Sequence, residues 1–114
     1  MNRERLLEFA LNDKRIKTPQ QAIDWLNASE VIELPGGAML VNGHNLHLLI
    51  EPYANKHKYI KSLKGALDIA FKDKDYLTGR IPVSNKKMIK VAEWHGFHVE
   101  RERDGHIEVR KNHE

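Results

Sequence analysis

The stretch that decides the fold of this chain is Val83–Phe97, with the sequence VSNKKMIKVAEWHGF. It predicts the end of a strand, a helix from Ser84 to His95, and a new strand that begins at Phe97. Serine caps helices well, because its hydroxyl accepts a backbone N–H two or three residues further on. Gly96 suits the left-handed conformation that ends a helix. The stretch therefore predicts a strand–helix–strand unit.

The segments before this unit predict two helices followed by three strands. The second helix has a strong start at Thr18-Pro19-Gln20-Gln21, where threonine can cap, proline suits the first turn and glutamine can close a capping box. Asn42-Gly43 is a strong signal for a tight hairpin. The predicted elements are helices from about Arg3 to Asn12 and from Thr18 to Ala28, and strands near Val31–Leu34, Ala38–Val41 and Asn45–Glu51.

The remaining segments predict a helix from Lys56 or His57 to Phe71, a strand over Tyr76–Val83, and a closing hairpin across Asp104-Gly105. The strand over Asn45–Glu51 is apolar on both faces, which is typical of a central strand. The hairpin strands are predicted over Phe97–Arg103 and His106–Lys111. We therefore expect an α/β (α+β) fold: one mixed, mainly antiparallel sheet of about six strands, with helices on both faces.

The composition is that of an ordinary globular protein and excludes several classes of function. The chain has 114 residues, of which 40% are hydrophobic and 31% charged, and we expect one domain over residues 1–114. There is no cysteine, which excludes a disulfide framework and a thiol nucleophile. The seven histidines show no metal-ligand spacing, so no metal site is expected. No apolar run approaches the roughly 18 residues that span a membrane, and we expect a cytoplasmic protein.

The order Asn85, helix, Gly96, Phe97 resembles the late strand–helix–strand signature of the GNAT superfamily of N-acetyltransferases. The chain departs from the signature at Ala92, where the family usually has a tyrosine. The order of predicted elements is also similar to a GNAT fold, which begins with one additional strand. Only Met1 and Asn2 precede the first predicted helix, so we expect that first strand to be missing.

The resemblance implies that acetyl-CoA lies along the central strand and is held by backbone groups there and at the start of the next helix. The matching segment, Pro52–Lys61, lacks the family's glycines but carries positive charge. Backbone N–H groups and cations at a helix start can bind phosphates, although these lysines also fit an ordinary solvated helix start. Asn85 fits a cofactor contact and also a capping role. The residues implied to bind the cofactor are Leu49, Ile50, Lys56, His57, Lys58 and Asn85.

Acetyl transfer to an amine needs a base that removes a proton from the amine. The resemblance implies Glu51, at the end of the central strand, or His47, within it, and favours Glu51 because the end of the central strand borders the cleft in this fold. Each also has a simpler interpretation: Glu51 as a solvated carboxylate at a strand end, and His47 as a half-buried strand histidine. A family tyrosine often protonates the leaving thiolate, and Ala92 stands in its place.

These departures from the family pattern predict a GNAT-fold protein whose catalysis is in doubt. The chain resembles short GNAT-like proteins of bacteriophages, which implies a binding or virion-assembly role through protein contacts, in the host cytoplasm or the virion. The alternative is a small acetyl-CoA-dependent N-acetyltransferase. An uncovered sheet edge predicts a protein partner or a second copy of the chain. Nucleic-acid binding through the lysine-bearing helices is the least favoured interpretation.

Overall fold

A computed structural model describes residues 1–13 and 15–113, and within them it contains four helices and six strands. In chain order the elements are α1 (Arg3–Leu11), α2 (Pro19–Ala28), β1 (Glu30–Leu34), β2 (Gly37–Asn42), β3 (Asn45–Ile50), α3 (Lys56–Ala70), β4 (Tyr76–Pro82), α4 (Lys86–Trp94), β5 (His98–Arg103) and β6 (His106–Asn112). Each predicted element is present, and all of its ends lie within two residues of the prediction.

The six strands form one sheet in the order β1-β2-β3-β4-β6-β5. Strands β3 and β4 run parallel, and the other neighbouring strands run antiparallel. Side chains from α1 and α2, such as Leu6 and Leu26, pack on one face of the sheet, against Leu40 and its neighbours. Side chains from α3 and α4 pack on the other face, around Met39 and Leu77. The predicted fold class, a mixed and mainly antiparallel sheet with helices on both faces, is confirmed.

Side-chain caps explain where the helices begin. The Thr18 hydroxyl accepts from the backbone N–H of Gln21, and the Gln21 side chain accepts from the Thr18 backbone, so the predicted capping box is confirmed. The predicted cap of α4 was wrong by one residue. Asn85, rather than Ser84, accepts from the backbone N–H of Met88, since asparagine caps as well as serine does. Asn85 therefore has the capping role that the sequence left open.

The two predicted tight hairpins are present. Asp104 and Gly105 both have positive φ, 53° and 75°, as a type I′ turn requires. In the β2–β3 hairpin, Asn42 pairs with Asn45, so the two connecting residues are Gly43 and His44. That turn lies one residue later than the Asn-Gly pair suggested.

Strands β3 and β4 meet at only one position and then diverge. Asn45 pairs with Thr78, and the Thr78 backbone N–H donates to the His44 carbonyl at 2.7 Å. Within the described residues, no further strand pairing joins β3 to β4. The sheet is therefore split by a V-shaped cleft with its narrow end at Asn45 and Thr78 and its open end at Ile50 and Pro82.

Trp94, near the end of α4, does not pack in the core. Its side chain is 80% exposed. The side of α4 that faces the core is formed by Val91 together with Met88 and Ala92.

The outer edge of β1 has no strand beside it in the described part of the chain. The opposite edge strand, β5, is interrupted by a bulge between Val99 and Arg101 and is exposed along its length. Bulges and charges on an edge discourage pairing with another chain. Pairing of β1 with a partner or a second copy stays a prediction.

Candidate functional site

The cleft between β3 and β4 encloses about 270 Å³ and is lined mostly by apolar side chains of β3, β4, α3 and α4. Alternate residues of a strand direct their backbone N–H and C=O groups to opposite sides. Half of the β3 backbone groups therefore face the opening instead of a neighbouring strand. The cleft offers an apolar channel with hydrogen-bonding groups along one wall. Its lining includes Leu46, His47, Leu48, Ile50, Gly79, Ile81, Asn85, Met88 and Ala92.

His47 lies on β3 near the narrow end of the cleft and is half-buried. Its ring meets the Trp25 ring edge-on, with the ring centroids 5.6 Å apart. Burial lowers the pKa of His47 below its ordinary value of 6.5, and the positive charge of Arg15 lowers it further, while Asp13 acts in the opposite direction. The ring is therefore neutral at pH 7 and able to accept a proton.

Asp13 and Arg15, in the link between α1 and α2, form an ion pair beside His47. The Arg15 Nη2 donates to Asp13 Oδ2 at 2.9 Å, and the Arg15 Nε and backbone N–H donate to Asp13 Oδ1 at 3.1 and 2.9 Å. The hydrogen bond from Arg15 lowers the pKa of Asp13 to about 2. Asp13 is consequently ionised at neutral pH, and most of its hydrogen-bonding capacity is used within the pair.

We expect the pKa of His47 to lie below 6.5 and to rise when Arg15 is replaced by Gln. The substitution removes the positive charge that lowers the pKa of His47 and leaves the Asp13 carboxylate, which raises it. The protonated ring is therefore favoured. Histidine C–H resonances followed by NMR against pH measure the shift, with the His47 signal assigned from its loss in a His47→Gln variant. The matched control is Lys72→Gln, which removes an exposed positive charge at the end of α3. A midpoint above 6.5 in the unmodified protein would contradict this view of the site.

Glu51 lies just beyond the open end of the cleft and pairs with Arg5 of α1. The Arg5 Nε donates to Glu51 Oε1 at 2.8 Å, and the Nη2 of Arg5 lies 2.7 Å from the same oxygen. Glu51 is only 7% exposed, and the hydrogen bond from Arg5 lowers its pKa. The simpler interpretation, a solvated strand-end carboxylate, was wrong. The role of Glu51 as a catalytic base stays a prediction.

The residues implied to bind a cofactor along the cleft have different environments. Ile50 and Asn85 line the cleft. The Leu49 side chain packs on the opposite face, against α1 and α2, and its carbonyl accepts from the buried Tyr59 hydroxyl at 3.2 Å. The Asn85 side-chain oxygen is used as the helix cap of α4. Ile50 and the amide nitrogen of Asn85 remain suited to contact a ligand in the cleft.

Lys56, His57 and Lys58 form the first turn of α3, and their side chains are exposed. Asn55 caps this helix by accepting from the Lys58 backbone N–H. One of the N–H groups that an anion would use is therefore occupied. The role of Lys56, His57 and Lys58 in binding a phosphate stays a prediction. Such binding would depend on side-chain charge more than on backbone N–H groups.

Ala92 lines the cleft from α4, at the position where the family signature has a tyrosine. Of the three tyrosines, only Tyr59 also lines the cleft. Tyr59 is buried, its hydroxyl is bonded to the Leu49 carbonyl, and burial raises its pKa. No described tyrosine is therefore placed to replace the one missing at Ala92.

A second cavity, the α1–α2 pocket, adjoins His47 on the other face of the sheet and encloses about 220 Å³. No local pattern connects the walls of this pocket, because they come from α1, α2, the link between them and β3. Only the apolar pattern of the two helices signalled that they would pack together. The α1–α2 pocket is lined by Phe9, Ala10, Asp13, Arg15, Ile16, Trp25, His47 and Leu49.

Within residues 1–13 and 15–113, no helix has the length and apolar character needed to cross a bilayer. No group of three or more potential His, Cys, Asp or Glu ligands could hold a metal ion in that part of the chain.

No protein-family model matches the chain, and no curated protein sequence matches it either. Solved structures do match it. The N-acetyltransferase PseH from Campylobacter jejuni, in complex with acetyl coenzyme A, has a TM-score of 0.67 at 14% identity, over 100% of this chain and 94% of PseH. The spermidine/spermine N-acetyltransferase SpeG from Vibrio cholerae has a TM-score of 0.65 at 14% identity, over 98% of this chain and 89% of SpeG.

A third match is a GNAT-family acetyltransferase from Bacillus anthracis, with a TM-score of 0.59 at 14% identity, over 96% of this chain and 87% of that protein. At such low identities these similarities show the fold alone. The chain has the fold of the GNAT N-acetyltransferases, and the predicted resemblance is confirmed at that level.

Proposed function

We propose that this protein is an acetyl-CoA-dependent N-acetyltransferase in which His47 is the catalytic base. The observation that supports the proposal is the open cleft between β3 and β4, with a neutral histidine near its narrow end. PseH, which has the same fold, binds acetyl coenzyme A. The apolar channel and the free backbone groups of β3 fit an extended ligand that carries amides.

The residues present fit acetyl-CoA along the cleft and fit its phosphates less closely. Backbone groups of β3 and the side chain of Ile50 would hold the chain of the cofactor. Lys56 and Lys58 would hold the phosphates through charge, because the α3 start lacks glycines and its cap occupies one N–H group. When bound, acetyl-CoA supplies an acetyl group as a thioester. Lys56 and Lys58 follow Ile50 at the open end of the cleft, so phosphates held there would leave the part of the cleft nearer His47 for the rest of the cofactor.

His47 removes the proton that the amine nitrogen loses as it bonds to the acetyl carbon. A neutral imidazole with a pKa below 6.5 is unprotonated at pH 7 and can take that proton directly or through water. A cavity of about 390 Å³ adjoins His47, is also lined by Arg80 and His106 among others, and has room for the water that such a relay needs.

Glu51 is less suited to the role of base for two reasons. It lies four residues from His47 along the chain, which is about 13 Å in an extended strand, and beyond the open end of the cleft. Its carboxylate is bonded to Arg5, which lowers its pKa and weakens it as a base at neutral pH. We assign Glu51 to holding α1 against the end of the central strand.

No described side chain is placed to protonate the leaving thiolate, which would therefore take its proton from solvent. Tyr59 is committed to the Leu49 carbonyl, and Ala92 has no acidic group. We therefore expect slower turnover than in a site with a positioned general acid, which typically contributes about 10²–10⁴-fold.

We expect acetyl-CoA to stabilise the protein against heat. A ligand at 100 times its dissociation constant adds about 2.7 kcal/mol to the free energy of unfolding, which raises the melting temperature of a domain this size by roughly 10 °C. A thermal-shift assay with acetyl-CoA measures the change. An unchanged melting temperature at millimolar acetyl-CoA would contradict the proposed function.

The same assay tests the two lysines at the start of α3. A Lys56→Gln/Lys58→Gln double variant is expected to bind acetyl-CoA several-fold more weakly, because an exposed charge contact contributes about 0.2–1 kcal/mol. The loss should shrink as salt is added. The matched control, Lys72→Gln/Lys90→Gln, removes the same charge from two exposed positions, one just after α3 and one in α4, that do not line the cleft.

The phage-type binding or virion-assembly role has no support from these comparisons and stays a prediction, as does the phage origin. SpeG and the other proteins named above are N-acetyltransferases. The similarities therefore favour the enzymatic alternative.

A further inference from the structure

The α1–α2 pocket is an apolar cavity next to the proposed base. Its apolar lining includes Phe9, Ile16 and Trp25, and its polar lining residues are His47 and the Asp13–Arg15 ion pair. Small-molecule sites are typically apolar with a few placed polar groups. The cavity has that character.

The volume of the pocket limits what it can hold. A dry apolar cavity of about 150 Å³ is large enough to bind benzene. At about 220 Å³, the α1–α2 pocket has room for one six-membered ring with a short linker. Two fused rings with the same linker would fill it more tightly.

His47 lines both the α1–α2 pocket and the β3–β4 cleft. A molecule that places an apolar arm in the pocket therefore brings its other end to the ring that would accept a proton. We propose that the α1–α2 pocket binds the apolar arm of the acceptor, and that the acceptor is a primary amine with an arm the size of one six-membered ring. The proposal rests on the proposed acetyl transfer and specifies its substrate class.

The charges around the pocket disfavour an acceptor with a second ammonium group. The Asp13 carboxylate is the acidic group that lines the pocket, and Arg15 already forms three hydrogen bonds to it. A second cation would have to enter an apolar cavity without an unpaired carboxylate, which is costly. Diamines are therefore poor substrates compared with apolar amines of similar length.

A matched series of amines tests the substrate class. We expect kcat/KM to rise by about fourfold for each added methylene group that becomes buried, from methylamine through butylamine to benzylamine. Naphthylmethylamine, which would crowd the pocket, and 1,4-diaminobutane, which carries a second charge, should both fall below benzylamine. Equal kcat/KM across the series, or a preference for the diamine, would overturn the proposal.

Substitutions at Ile16 test whether the pocket is responsible. Ile16→Phe fills the pocket from the link between the helices and should abolish the preference for benzylamine over methylamine. Ile16→Ala enlarges it and should raise kcat/KM for naphthylmethylamine. Ile69→Phe makes the same change at an α3 position that is 53% exposed and should leave the series unchanged. Unaltered preferences in both Ile16 variants would overturn the assignment.

Trp25 allows a binding test that does not need acetyl-CoA. The chain has two tryptophans, and Trp94 is exposed, so Trp94→Phe leaves Trp25 as a single reporter in the pocket wall. Benzylamine should change Trp25 fluorescence in a saturable way, and Ile16→Phe should remove the change. Saturable benzylamine binding without acetyl-CoA binding would support the α1–α2 pocket as a ligand site and contradict the proposed acetyl transfer. Acetyl transfer without a fluorescence change or an arm preference would support the proposed function and exclude the pocket as the acceptor site.

Discussion

Replacing His47 by Gln is expected to lower kcat for acetyl transfer by about 10²- to 10⁴-fold, the usual contribution of a general base. Glutamine keeps most of the side-chain volume but cannot accept the amine proton. The affinity for acetyl-CoA should change little, because cofactor contacts are expected from β3 backbone groups and from α3. Steady-state kinetics with benzylamine, together with acetyl-CoA titrations, separate the two effects.

His98→Gln is the matched control for this experiment. His98 lies on the exposed edge strand β5, outside the cleft and the α1–α2 pocket. The His98→Gln variant should keep the kcat of the unmodified protein. A His47→Gln variant that is folded and fully active would exclude His47 as the base and return attention to Glu51. Circular dichroism and the melting temperature establish whether the variant is folded.

Replacing Gly79 by Leu is expected to block the narrow end of the cleft and weaken acetyl-CoA binding by about 10- to 100-fold. Gly79 follows Thr78, the last β4 residue paired with β3, and it lines the cleft. A larger side chain there would occupy the space between the diverging strands. Forcing extra methylene groups into a filled site costs about 1–3 kcal/mol, and each 1.4 kcal/mol corresponds to a tenfold change in affinity.

Gly79→Ala is the matched control, because a single methyl group fits. A Cβ at this position would lie 3.6 Å from Val109 Cγ2 and 3.8 Å from the Leu46 carbonyl oxygen, which are ordinary contacts. Acetyl-CoA binding by titration calorimetry should be retained in Gly79→Ala and weakened in Gly79→Leu. Equal affinity in both variants would place the cofactor elsewhere.

Much of the fold could be predicted from short stretches of sequence, because the signals involved act over a few residues. The Thr18 capping box depends on contacts three residues apart. The Asp104-Gly105 turn depends on two residues that tolerate positive φ. Gly96, with φ of 90°, ends α4 as expected. The error in the predicted cap of α4 was also local. Ser84 and Asn85 are both good capping residues, and their order in the sequence does not decide which of them caps the helix.

The site itself could be predicted only in part. His47 and Glu51 were both candidates, and the sequence favoured Glu51 because it ends the central strand. The structure pairs Glu51 with Arg5, 46 positions away in the chain, and this contact could not be inferred from either neighbourhood. Trp25, Asp13 and Arg15 were not recognised as neighbours of His47, because they belong to other elements.

By itself, the sequence determined the order of helices and strands, their approximate ends and the GNAT resemblance of the segment from Val83 to Phe97. Periodicity, caps and turns set these features, and each acts within one or two turns of the chain. The tertiary structure alone decided that β3 and β4 separate after Asn45 and Thr78, and that His47 joins the cleft to the α1–α2 pocket. Those features arise where distant elements pack against each other, and no local pattern encodes the distance between them.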